Sequence, residues 1–136
     1  MTVPAPVAFI ARLMLALMFV LAGFSKFGAL AGTAGYIASK GLPMPMVLAV
    51  ATAALEVVAG LAIIIGYQAR LAALALALFT VLASFLFHNF WAMPADQAFV
   101  QQLMFMKNIA VAGGLLLLFA LGTGGASLDA RRLARA

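Results

Sequence analysis

The residues able to do chemistry in this chain are few, and they sit in segments otherwise apolar enough for lipid. The segment FTVLASFLFHNFW, from Phe79 to Trp91, holds the chain's single histidine, His88, and its single tryptophan. On a helix of about 3.6 residues per turn, Thr80, Ser84 and His88 recur every four residues, with Trp91 three later. Arg70 lies eighteen residues before His88, or about five turns, and returns to that face. A helix bathed in hydrocarbon on every side would not keep such a stripe, so this face should look at protein. Elsewhere, Glu56 and Lys107 are ionisable groups inside apolar runs, and each needs a partner or a wet cavity to offset roughly 2.5–3.5 kcal/mol of insertion cost.

What these groups can make is narrow. One histidine cannot supply bis-histidine haem ligation, and no facing His–Met pair is identifiable. With no cysteine, Fe–S clusters, thiol exchange and Cys-bound zinc are excluded within the chain. His88, Glu56 and Asp96 lack a recognisable metal-ligand spacing, so no metal is expected. No serine–histidine–acid set, phosphate loop or dinucleotide fingerprint occurs. What remains is a mixed pocket for a lipophilic molecule with a polar head, and a quinone fits. Its carbonyls would accept from His88, Asn89, Lys107 or Asn108, and Glu56 would relay a proton, while the redox chemistry stays with the quinone. The expected catalytic set is therefore Glu56, His88 and Lys107, with Lys26, Thr80, Ser84, Asn89, Trp91 and Asn108 binding the substrate.

The elements that must position these residues are membrane helices. Of 136 residues, 68% are hydrophobic and 8% charged, against about 25% charged in an ordinary soluble domain. The net charge of +5 forms no basic patch interleaved with aromatics, so nucleic acid is not a partner. Four spans follow from the apolar runs, at about 7–27, 45–66, 70–91 and 98–121, in a single domain over 1–136. The apolar runs are continuous rather than alternating, which argues against a barrel. The first span is longer than a signal-peptide core and lacks a basic lead, so it is expected to be retained. Gly28 to Met46, rich in Gly and Pro, reads as a loop with a short interfacial turn around Tyr36 to Ser39. Gly66 to Ala69 reads as a tight turn, and the tail as a Gly-rich stop with a basic end. Arg12, Arg70, Arg131, Arg132 and Arg135 gather on the side of the termini, which the positive-inside rule places in the cytoplasm.

Depth and face arithmetic then set the pocket. Glu56 and Lys107 lie about 15 and 21 Å from the cytoplasmic end of their helices, a gap a lysine can span. Arg12, shallower, extends toward Glu56 in a structural ion pair that fixes helix register. Lys26, His88 and Asn89 lie near the outer ends. Glu56 is the expected floor of an outer-half pocket, with His88 and Trp91 at its mouth. Gly23 lies one turn from Lys26, and Gly60 one turn from Glu56, which permits close helix approach in lipid.

The motifs in order resemble the DoxX family of inner-membrane proteins over about residues 8–129. They are LALMFVLAGFSKF in the first span, YIASKGLPMP in the next loop, ALEVVAGLAIIIGYQAR across the second span and turn, FLFHNFW closing the third, and FMKNIAVAGGLLLL in the fourth. The matching positions are Lys26, Lys40, Gly41, Pro43, Glu56, Arg70, His88, Asn89, Trp91, Lys107 and Asn108. The resemblance implies an all-α, integral-membrane four-helix bundle in a bacterial inner membrane. It also implies an oxidoreductase or an accessory subunit of a membrane redox complex, with a redox partner protein. Any thiol or sulfur chemistry would have to come from that partner. The alternative is a non-enzymatic small-molecule carrier or membrane assembly partner whose buried charges are structural. Flat Gly and Ala faces allow a homo-oligomer without requiring one.

Overall fold

In the computed structural model, which describes residues 3–135, four helices are long and apolar enough to cross a membrane. They are α1 (Ala5–Gly28), α3 (Pro45–Ile65), α4 (Ala69–Phe87, prolonged by a 3₁₀ turn at Phe90–Ala92) and α5 (Ala95–Leu121). Two shorter helices complete the chain, α2 (Leu30–Ser39) and α6 (Leu128–Leu133). No strand occurs among the described residues. Proline opens α1 and α3 within their first turn, where its missing N–H is no loss. Asp96 sits in the first turn of α5, where the helix dipole favours it.

The spans pack in the order α1, α3, α4, α5, with α1 on α3 and α5 on α4 as the two most extensive faces. Lipid tails are as apolar as the side chains, so these faces are held by close packing rather than by burial from water. The α1–α3 face shows how. A Cβ on Gly23 would fall 2.6 Å from a Val57 methyl and 2.8 Å from the Ala53 carbonyl oxygen. A Cβ on Gly60 would fall 2.7 Å from a Val20 methyl. Ala16, Phe19, Ala59, Ile63, Ala73, Leu76, Ala77 and Leu115 form the main core beside this seam.

The end that carries both termini is tied by polar contacts. Arg70 donates from Nε and a terminal nitrogen to the Phe119 and Ala120 carbonyls, each at 2.7 Å, at the carbonyl end of α5. The Asp129 carboxylate accepts from the Gln68 and Ala69 amides at 2.9 and 3.0 Å, capping α4. The basic tail thus contains a short helix, α6, entered through the Ser127 side chain.

Two expectations are corrected at the other end. Residues 28–46 are not chiefly loop, because Leu30–Ser39 is α2. Each glycine there weighs against helix by about 1 kcal/mol, but Leu30, Ala34 and Ile37 share a face that packs on Ala49, Leu42, Leu48 and Phe87. The third span's helix ends at Phe87 rather than running to Trp91, so His88 is its C-cap.

Because the α1–α3 face has no room for side chains at its glycines, Gly23→Leu or Gly60→Leu should lower stability by at least about 1–3 kcal/mol, the range of core overpacking. Gly32→Ala, with nothing within 4 Å of its Cβ, should leave it unchanged or slightly raised. Thermal melts followed by helical circular dichroism in detergent check this.

Candidate functional site

The register fixed at Gly23 and Gly60 brings two side chains together one turn further on. Lys26 Nζ lies 2.7 Å from Glu56 Oε2, an ion pair that is also a hydrogen bond. Glu56 is 6% exposed at its side chain and Lys26 29%, so the acid is the buried partner and the amine reaches it from the edge. Lysine suits this place, because its stem can lie along apolar surface while its head finds a polar partner.

The pair forms part of the wall of a cavity of about 310 Å³ among α1, α2, α3, α4 and α5. Its apolar walls include Met18, Phe19, Ala22, Ile37, Phe79 and Phe87. Its polar groups come from each helix: Lys26, Thr33 and Tyr36, Thr52 and Glu56, Thr80 and His88, Lys107 and Asn108. Two of them are poised. His88 Nδ1 lies 2.8 Å from Gln101 Oε1 on α5; with that oxygen as acceptor, Nδ1 is the donor and Nε2 is not used by this bond. Thr80 is 3% exposed and lines the cavity, yet its Oγ1 has no hydrogen-bond partner among the described residues. Buried hydroxyls are nearly always paired, and leaving one alone costs about 1–3 kcal/mol. Among the described residues no cluster of three His, Asp or Glu could hold a metal ion. The cavity offers hydrogen bonds, one carboxylate and apolar walls, a combination suited to a polar head on a hydrophobic body.

Residues 7–89 match the DoxX family model. The chain is also 37% identical over 122 residues to the inner membrane protein YphA of Escherichia coli strain K12, covering 90% of this chain and 87% of that one. It is 40% identical over 123 residues to the inner membrane protein YqjF of the same organism, covering 88% and 87%. The chain belongs to the DoxX family. It is a multi-pass inner-membrane protein. A 71-residue stretch is 39% identical to a Surfeit locus protein 4 homolog of Drosophila melanogaster, over 49% of this chain and 26% of that protein. No solved structure matches the chain.

Of the residues singled out in the sequence, this DoxX protein gathers Lys26, Glu56, Thr80, His88, Lys107 and Asn108 around the cavity. Three others lie outside its lining. Ser84 is fully buried, and its hydroxyl donates to the Thr80 carbonyl within α4. Asn89 sits past the helix end, with Oδ1 buried and without a partner among the described residues. Trp91 is 57% exposed and packs with Phe85, Phe90 and Phe105 at the membrane-boundary end of the bundle. The early end of α4 at Phe87 explains Asn89 and Trp91, since both leave the helical stripe.

The Arg12–Glu56 ion pair is also corrected. Arg12 donates instead to the carbonyls of Thr123, Gly125 and Ala126. The α1–α3 register leaves it about ten residues, or about 15 Å, from the level of Glu56. Lys107 lines the cavity, but its Nζ lies against Met104 sulfur at 3.6 Å rather than on Glu56. Thr33 and Tyr36 also line the cavity, although their segment reads as a loop with an interfacial turn around Tyr36 to Ser39; the Leu30, Ala34, Ile37 spacing is the signal that would have found them. Gln101 shares a helix face with Asn108, but that spacing does not name His88 as its partner, which only the folded chain reveals.

If Lys26 and Glu56 are one unit, Lys26→Met alone should cost up to about 3 kcal/mol by stranding the buried acid, and the Lys26→Met/Glu56→Met double variant should recover much of it. Additive losses in detergent unfolding titrations would show that the two side chains act separately.

Proposed function

We propose that the cavity binds the polar head of a lipophilic redox molecule, a quinone, and that the protein works as an oxidoreductase or as the accessory subunit of a membrane redox complex. The observation that carries this reading is the gathering of Lys26, Glu56, Thr80, His88, Lys107 and Asn108 on the walls of one largely apolar cavity, with the Thr80 hydroxyl buried and without a partner among the described residues. A quinone carbonyl gives that hydroxyl an acceptor. A bound quinone supplies the two-electron chemistry, with electrons from a redox partner protein. The chain's own residues do the rest. Thr80 and Asn108 orient the head, Phe79 and Phe87 exclude water around it, and Lys107 and His88 stand at its edge. Glu56 Oε2 is held by Lys26, which leaves Oε1 to take or give a proton. With the termini in the cytoplasm, as the arginine distribution suggests, the cavity lies in the outer half of the membrane.

A second reading has its own support. The 2.7 Å Lys26–Glu56 pair sits one turn from the tightest helix crossing and would hold the bundle together with no ligand at all, as in a non-enzymatic carrier or assembly partner. Purification in mild detergent, with mass spectrometry of the extracted small molecules, separates the two. The redox reading expects a stoichiometric quinone in the wild type and none in a Glu56→Gln variant that remains folded. No bound lipophile, together with early melting of Glu56→Gln, would favour the structural role.

A further inference from the structure

Two openings lie along one seam. α1 packs on α3 and α5 packs on α4, so α1 and α5 run antiparallel past each other with little contact. Toward the end away from the termini, the seam parts into the cavity described above, with Met18 and Ala22 across from Lys107 and Asn108. Toward the termini it parts again into a second cavity of about 220 Å³, where Ala11 and Leu15 face Gly114, Leu117 and Leu118. Between the two openings Leu15 leans over Gly114: a Cβ at Gly114 would stand 3.3 Å from Leu15 Cδ1. Both residues are half-buried.

The second cavity is built for hydrocarbon. Its polar side chains are already engaged: Arg12 donates to the Thr123 carbonyl, and the Thr123 hydroxyl pairs with Ser127 Oγ at 2.9 Å. Arg12 has given its terminal nitrogens to tail carbonyls, and only Nε is left without a partner. One N–H is too little to hold a second polar head, whereas leucine and glycine walls suit a chain. Packing narrows the other ways out of the head cavity. The α1–α3 and α4–α5 faces are closely packed, α2 lies over the end with Tyr36 against Phe87, and His88 is tied to Gln101.

We propose that the α1–α5 seam is the tail groove of the ligand. Its hydrocarbon chain leaves the head cavity between α1 and α5, crosses the Leu15–Gly114 ridge and lies in the second cavity. This rests on the head cavity being a binding site, and it narrows the substrate class. The ligand is a membrane-dissolved lipid with a linear chain that enters sideways from the bilayer, not a water-soluble redox compound. From Asn108 to Leu121 the groove runs thirteen residues of α5, or about 20 Å.

The test uses the full chain in lipid nanodiscs and a benzoquinone bearing a saturated chain about 20 Å long, matched to that stretch of helix, with a photoreactive diazirine at its end. Cross-linked peptides are mapped by mass spectrometry, with and without excess tail-less benzoquinone. The groove predicts labelling on Ala8–Leu15 and Gly114–Leu121 that falls to background in the presence of the competitor. Labelling that is competed away but sits on outward residues such as Val58, Leu78 and Leu82 would overturn the tail course and leave the head cavity standing. Labelling that the tail-less quinone does not compete for would overturn both.

Discussion

An acid buried among helices in a lipid-facing bundle must be neutralised by something, and Glu56 is neutralised by Lys26. Roughly 2.5–3.5 kcal/mol of insertion cost per ionisable group makes a lone carboxylate at that depth a liability. The partner has to arrive at a fixed height, and helix register sets the height. Gly23 and Gly60 allow α1 and α3 to approach until methyls and carbonyls would collide with any added Cβ. That contact leaves Lys26 within 2.7 Å of Glu56 and leaves Arg12 far below it. The small residues and the charges are therefore one device, in which neither part is explained without the other.

The cavity follows from how unevenly the helices share their faces. Close packing of α1 on α3 and of α5 on α4 leaves α1 and α5 loosely apposed, and a polar cluster lies on the open side. α4 carries groups that look at α5 from both ends, Arg70 on the last α5 carbonyls and His88 on Gln101. These ties hold α5 in place without closing it onto α1. Belonging to the DoxX family fixes the fold and the membrane setting.

Much of this was legible in the sequence, for physical reasons. A transmembrane helix satisfies its own backbone, so a long apolar run has one outcome, and the four spans could be read within a few residues. Polar residues in such a run stand out, and Lys26, Glu56, Thr80, His88, Lys107 and Asn108 do line one cavity. The readings that fail are those that depend on tertiary packing, on helix stagger or on a side chain's own backbone. Glycine-rich Leu30–Ser39 is helical because one apolar face docks on α3, and local propensity gives no view of that docking. The arginine partner assigned to Glu56 was wrong because depth from a helix end does not reveal how two helices are staggered. Ser84 showed the right spacing but spends its hydroxyl on its own helix.

Under the proposed function, the Thr80 hydroxyl, buried and without a partner among the described residues, is reserved for a ligand. Thr80→Val keeps the shape and removes the hydroxyl, so melting and quinone titration of that one variant test it most directly. A ligand role for Thr80 predicts a melting temperature equal to or above that of the wild type, because a stranded buried hydroxyl is gone, and quinone binding weakened about ten-fold, the equivalent of about 1.4 kcal/mol. A lower melting temperature with quinone affinity unchanged would contradict it and make Thr80 a structural residue.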